Sequence, residues 1–393
     1  ITDDDMTCWL KAVFEYGMND IETWNYTESM LNSGKTINFS KLDGFILDKH
    51  STGGVGDKVS IILGPILAAC GCYIPMLAGR GLEHTGGTID KLETIPGYRT
   101  ELSLDEFKGI VESVGISIMS QTNDICPADR KIYALRDLTN TVASFPLICG
   151  SIMSKKIAEG ISGLVLDIKI GNGAFIKSIK EGKILSQILK EIGSLYNLKV
   201  KVCFTDMNQP LGKSSGLRSE ILECVECLKN NGPIDLMNVV YHLGREALKL
   251  AGIKNPQQKM QSSIRDGSAF DKFKQMVMAH GGDFNSLENN NHNTSLFSKD
   301  IIAKKDGYLS AIDTTGAGNA IILLGGGRIR KLDNLDPNAG IDFYKKLGCK
   351  VKKGDVLATY FSSNKAKIEK NKFFIEQLFS IEERKPIEIP LIY

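Results

Sequence analysis

Two glycine-rich stretches flanked by cations and hydroxyls carry the first chemistry legible in this chain. Lys49-His50-Ser51-Thr52-Gly53-Gly54-Val55-Gly56-Asp57 runs into an apolar helical pattern from about Lys58 to Cys70. Glycines lack a Cβ, so backbone N–H groups can close on an anion, and a helix start adds its positive end. Lys49 supplies a full charge; Ser51 and Ser60 supply hydroxyl donors. The spacing has neither the GK[ST] of a P-loop nor a GxGxxG, which argues against nucleoside triphosphates and dinucleotides. An anion-binding loop and an ordinary tight turn fit this stretch equally well. The second stretch, Gly79-Arg80-Gly81-Leu82-Glu83-His84-Thr85-Gly86-Gly87-Thr88, tips the balance. Both follow short apolar runs that read as strands, and ligands of open α/β sheets sit beyond the carboxyl ends of strands. Two such loops on adjacent strand ends frame one crevice suited to phosphate, with Thr88 as a further donor.

A third group lies on helical patterns. Ser151 and Lys155 are four apart and share a helix face, and Arg136 sits on the preceding pattern. Together they could hold a polar planar ring by its carbonyls and ring nitrogen. By pattern alone, Lys155-Lys156 fits a solvated helix face better.

The elements that must position these residues are βαβ units. Gly44–Asp48 and Tyr73–Leu77 read as strands around the helix at about 58–70. A helix at 104–114 precedes a strand at 116–119, and a strand at 163–170 leads through a helix at about 178–195 to one at 199–205. This order predicts a parallel α/β sheet. Residues 128–158 carry two helical patterns and no strand, and group with the helical reading of 1–34. The polar run at 288–293 reads as a loop. From about Ile302 a mainly β module is expected, on the cues Gly307–Leu309, Ile321–Gly327 and Gly354–Ala358.

Composition removes several classes. Lys+Arg 48 against Asp+Glu 46 leaves +2, so no strong field steers the chain to nucleic acid or an anionic membrane. No apolar run reaches the roughly 18 residues of a membrane span, and no signal peptide is read. The nine cysteines predict reduced thiols and a cytoplasmic protein. Cys224 and Cys227 form a CxxC on a helical pattern without a second pair at zinc spacing, which favours packing over metal. Glycine is the outlier, 39 of 393 residues against a usual share of about 7%.

The motifs resemble the thymidine/pyrimidine-nucleoside phosphorylase family. Gly79-Arg80-Gly81-Leu82-x-His84 through Glu93 is nearly the family's signature, and Asp48–Asp57 matches its first loop. Asp167–Phe175, Thr205–Leu211 and Gly325–Arg328 match further elements, so the likeness spans essentially the whole chain. It implies an α/β fold: a small all-helical domain (1–35 and 122–160), a large α/β domain with a mixed, largely parallel sheet (44–121 and 161–300), and a C-terminal α+β module (301–393). Further residues of the helical domain are expected before Ile1. The implied reaction is phosphorolysis of a pyrimidine nucleoside to free base and an α-pentose 1-phosphate, phosphate being a co-substrate and no cofactor being required. Hinge closure and a homodimer through the helical domain are implied too.

By the same resemblance Lys49, Ser51, Ser60 and Thr88 bind phosphate. His50 contacts the pyrimidine O2, and Arg136, Ser151 and Lys155 hold the rest of the base, with His50, Arg136 and Lys155 catalytic. Met76 stands where thymidine-preferring relatives carry Met and uridine-accepting ones Lys, and it favours 2′-deoxynucleosides. Gly56, Lys58, Leu211, Ser214 and Glu223 match positions that in some relatives hold a monovalent cation, K+ or Na+; Lys58 replaces a small residue there. Other departures are Ala78 for a phosphate-contacting Ser, Glu83 for Gly and Leu217 for Asn. They keep open a weakly catalytic regulatory relative. An anthranilate phosphoribosyltransferase-like enzyme would share the architecture but needs a diphosphate and magnesium site that the sequence lacks.

Overall fold

A computed structural model describes residues 1–288, 296–330 and 333–393. Of the polar run expected as a loop at 288–293, only Glu288 is described, and it closes a short helical turn, Asn285–Glu288. The rest of that run, from 289 onward, lies outside the described residues.

Five strands build the sheet: β1 (Leu47–Ser51), β2 (Ile74–Ala78), β3 (Ile116–Ser120), β4 (Gly163–Ile170) and β5 (Lys199–Asp206). β4 pairs in parallel with β1 on one side and β5 on the other, and β2 pairs in parallel with β3. The two groups meet at a parallel bridge between Ile46 and Tyr73, backed by Leu47 N–H to Tyr73 O at 2.9 Å. The order is therefore β3-β2-β1-β4-β5. The chain runs outward from β1 to β3, then returns to β4 on the other side of β1. That reversal is a topological switch point, and its crevice lies outside the carboxyl ends of β1 and β4.

β1 runs further than the sequence suggests. Pairing with β4 continues through Lys49–Val165, His50–Leu166 and Ser51–Asp167. Lys49, His50 and Ser51 thus sit on a strand end, held in register, and the loop proper begins at Thr52.

The helices up to residue 228 are α1 (Asp3–Tyr16), α2 (Asp20–Leu31), α3 (Val59–Ala69), α4 (Thr88–Leu92), α5 (Leu104–Val114), α6 (Pro127–Thr139), α7 (Phe145–Ala158), α8 (Ile179–Leu195) and α9 (Arg218–Leu228), and Ile234–Leu250, Pro256–Arg265 and Ser268–Ala279 follow them. α3 is apolar all round, as a helix buried on every face must be, and Val59, Ile61, Ile62, Leu63 and Ile66 are fully enclosed in the main core. α5 matches its sequence reading because both ends are written locally. Ser103 and Glu106 form a capping box, and Gly115 closes the helix at φ 94°. Leu10 and Val13 of α1 and Tyr26 and Met30 of α2 share a core with Ile132 and Leu147. The other side of α7, through Cys149, Ile152 and Met153, packs with the apolar residues of β4 and α8.

The C-terminal module is antiparallel. Val356–Ser362 lies between Phe297–Ile302 and Gly340–Phe343, while Gly307–Ile312 lies between Lys350–Val351 and Phe379–Glu382. One sequence cue is corrected here. Ile321–Gly327 is not a strand: a helix over Thr314–Ile321 continues into a π-helical turn at Ile322–Gly326. Asp313 starts that helix by accepting the Gly316 N–H at 2.8 Å. Gly318 lets the helix press on the second glycine loop, since a Cβ there would fall 2.1 Å from the His84 carbonyl oxygen. No helix among the described residues is long and apolar enough to cross a membrane.

Candidate active site

At the end of β1 the buried Lys49 ammonium lies 3.4 Å from Ser60 Oγ and 3.8 Å from Asp167 Oδ2. An ammonium has three N–H donors, so this one retains capacity for an anion. Ser51 Oγ donates to Asp57 Oδ2 at 2.5 Å and accepts the Gly53 N–H at 3.1 Å, which folds the first glycine loop back on the strand. Beneath it, Lys169 lies 2.7 Å from Asp167 and donates to Thr205 Oγ1 at 3.0 Å. Burial alone would raise the Asp57 carboxyl, but Lys169, Lys49 and the Ser51 hydrogen bond hold it well below the usual carboxylate range.

The second loop is bound by its own ion network. Gly81 N–H donates to Asp90 Oδ2 at 2.7 Å, while Arg80 and Arg328 both reach Asp90 Oδ1, at 3.0 and 2.8 Å. The buried Lys91 joins the loops by donating to the Asp57 carbonyl at 2.9 Å and pairing with Glu220 at 2.6 Å. A Cβ on Gly53 would lie 3.5 Å from the Thr85 side chain, so the two glycine stretches are in contact. Thr88 opens α4 and is half-buried. Ala78 ends β2 beside Ser120 of β3. Glu83 occupies φ 49°, a left-handed conformation that a glycine would adopt without Cβ strain.

The third group comes together on the helices. Lys155 donates to Ser151 Oγ at 2.9 Å and to the Asp129 carboxylate, and its ammonium lies 6.0 Å from the Tyr133 ring centroid. Arg136 is buried, with Nη1 on the Leu147 carbonyl at 3.0 Å and Nη2 on the Val142 carbonyl at 2.6 Å. Its buried Nε has no protein partner, leaving one donor unsatisfied in a place where that is costly. His50 lies between the two halves electrostatically. Burial, then Lys156, Lys155 and Lys49, depress its pKa well below the ordinary value, so it is a neutral imidazole at pH 7.

Lys155 and Lys156 do not share a solvated face. Lys156 is fully buried, 2.5 Å from Asp48 Oδ2 and 2.6 Å from Glu159 Oε1, and donates to the Leu77 carbonyl at 3.0 Å. Glu159 also accepts the Leu77 N–H at 3.0 Å. Burial and Asp48 push the Glu159 carboxyl well above its usual range. This cluster stitches α7 to β1 and β2. Sequence reasoning misses it, along with the supporting roles of Asp57, Asp90, Lys91, Lys169 and Arg328, because each acts through a partner remote in the chain.

The set matched to a monovalent cation has a different content. Lys58 Nζ donates to the carbonyls of Leu211 and Ser214 at 2.9 and 2.8 Å and to Glu223 Oε2 at 2.6 Å. The residues present therefore do not fit a bound ion, since an ammonium already takes the oxygens that would ligate it. Met76 is 2% exposed and packed in the main core. Cys224 and Cys227 are buried, and no group of three His, Cys, Asp or Glu suited to a metal occurs among the described residues.

Residues 43–270 match the glycosyl transferase family a/b domain, and residues 308–381 match the pyrimidine nucleoside phosphorylase C-terminal domain. The chain is 40% identical over 368 residues to the pyrimidine-nucleoside phosphorylase of Geobacillus stearothermophilus, covering 92% of this chain and 85% of that one. It is 38% identical over 400 residues to the thymidine phosphorylase of Colwellia psychrerythraea, covering 100% of this chain and 91% of the relative. A crystal structure of anthranilate phosphoribosyltransferase from Thermus thermophilus superposes with a TM-score of 0.52 at 14% identity, over 71% of this chain and 96% of that one, a likeness of fold alone. The glycosyltransferase architecture thus has a definite branch: the chain belongs to the thymidine/pyrimidine-nucleoside phosphorylase family.

Proposed function

We propose that this chain catalyses phosphorolysis of pyrimidine 2′-deoxynucleosides, with thymidine and phosphate giving thymine and 2-deoxy-α-D-ribose 1-phosphate. The observation that supports the reading is the pairing of one cation-and-hydroxyl group at the switch point with a second on α6 and α7. Lys49, Ser51 and Ser60 stand on the sheet side, and Lys155, Ser151 and Arg136 on the helices, with His50 under the influence of both lysines. Phosphate is held by the first three and Thr88. One of its oxygens forms the new bond to C1′ as the C1′–N1 bond breaks, and the electron pair leaves on the base.

The departing base carries developing negative charge, which Lys155 and Arg136 stabilise. Neutral His50 donates an N–H to the pyrimidine O2. As charge builds on the base the imidazole becomes more basic, so it can take up the proton that the attacking phosphate gives up and pass it to the leaving base. Placing phosphate on the sheet and base on the helices calls for domain closure before reaction. Phe14 and Ile21, exposed at 48% and 67% on α1 and α2, support a homodimer through the helical face.

The preference for deoxynucleosides rests on the resemblance at Met76 alone, since that side chain is packed in the main core. With phosphate fixed and thymidine, 2′-deoxyuridine and uridine compared, kcat/KM for uridine is expected at least about tenfold below that for thymidine. Equal turnover of uridine and thymidine overturns the preference and favours a broad pyrimidine-nucleoside phosphorylase.

A further inference from the structure

We propose that the Lys58 ammonium is a built-in monovalent cation, which replaces a bound K+ or Na+ and locks the first glycine loop without any ion from solution. The three N–H donors of the ammonium meet three oxygens: Leu211 O, Ser214 O and Glu223 Oε2. No donor is left over. Glu223 is satisfied as well, accepting the Lys213 N–H at 2.8 Å and the Ser214 N–H at 3.2 Å.

The enclosure leaves no space for an ion beside it. Lys58 is 1% exposed. Gly212 closes over the pair at φ 72°, and a Cβ there would lie 2.7 Å from Glu223 Oε2 and 2.9 Å from Lys58 Nζ. Burial works against the charge, but Glu223 and Glu220 outweigh it and raise the lysine pKa above its ordinary value. The cation therefore stays charged at any pH near neutrality.

Its place in the chain gives it a task. Lys58 follows Asp57, the acceptor for Ser51, and immediately precedes α3, which carries Ser60. Leu211 N–H also donates to the Val55 carbonyl at 3.1 Å. Lys58 thus pins the loop that shapes the proposed phosphate site to the 211–214 segment and to α9. It is a positioning residue, and the inference stands whichever nucleoside is preferred.

The test compares thermal unfolding in KCl, NaCl and choline chloride at equal ionic strength, for the whole chain and for Lys58→Thr. The unaltered chain is expected to have the same Tm in all three salts. Lys58→Thr removes the charge and opens space, leaving Glu223 unpaired, so in choline chloride its Tm should fall by roughly 5 °C. KCl or NaCl should restore much of that loss with a saturable dose dependence. Lys58→Met, which fills the space without charge, should not be rescued.

A saturable K+ or Na+ stabilisation of the unaltered chain over choline would overturn the proposal, as would a Lys58→Thr chain indifferent to the cation. If Lys58→Thr does not fold in any salt, the unaltered chain decides: identical Tm values support the built-in cation, and a saturable shift refutes it. Unfolding does not depend on turnover, so a failed nucleoside assay would leave this result readable.

Discussion

Ala78 is the residue whose chemistry departs most simply from a complete phosphate site. It ends β2 half-buried, with a methyl where the resemblance places a phosphate-contacting hydroxyl. One hydrogen bond to a charged ligand is worth roughly 1.5–3 kcal/mol. Ala78→Ser should therefore lower KM for phosphate about tenfold or more; an unchanged value in initial-rate assays would mean the ligand is already satisfied there. Lys49, Ser51 and Ser60 stand out in the sequence because strand-end glycines mark them locally. The four-residue interval of Ser151 and Lys155 gives only a shared helix face, which the resemblance alone makes a candidate site. Asp57, Asp167 and Lys169 do not stand out. Their importance lies in mutual burial across β1, β4 and the first loop, which no local spacing records.

At the level of elements, the two glycine loops depend on support from outside the sheet. Arg328, from the segment after the π-helical turn, meets Asp90 at 2.8 Å, and Asp90 holds Gly81 N–H at 2.7 Å. Arg328→Ala removes the clamp and touches neither Lys49 nor Lys155, so KM for phosphate should rise several-fold with a smaller change in kcat. A fall in kcat alone, measured by steady-state kinetics, would contradict a loop-positioning role. Elements whose ends are written in sequence, such as α5 and β4, can be read to the residue. Ile321–Gly327 misleads because its apolar residues and glycines resemble a strand with turns. The Asp313 cap starts the preceding helix, and Ala317, Ala320 and Leu324 pack in the core of the C-terminal module, so the segment continues it as a π-helical turn.

For the whole molecule, the buried His280 is one source of acid lability. His280 is fully buried, stacked on Tyr98 at 4.4 Å, and bonded to Arg99 O at 2.8 Å and Ser117 Oγ at 2.9 Å. Burial lowers its pKa from 6.5 to about 4. Below pH 6.5 the unfolded chain takes up a proton that the folded chain refuses, so stability present above that pH is lost as pH falls through about 4. The contribution is roughly 3 kcal/mol at about 1.4 kcal/mol per pKa unit. Calorimetric Tm should fall from pH 6.5 to 4, with a shallower slope in His280→Gln; equal slopes would contradict the assignment. The order of βαβ units makes the α/β class legible, whereas the return of β4 beside β1, which creates the crevice, is a property of pairing alone. The proposed phosphorolysis requires this crevice to join phosphate and nucleoside. Thymine release from thymidine, followed with and without phosphate while 31P NMR tracks the product, tests it most directly. Phosphate-dependent release with matching formation of 2-deoxyribose 1-phosphate is predicted. No release, or release at the same rate without phosphate, would contradict it.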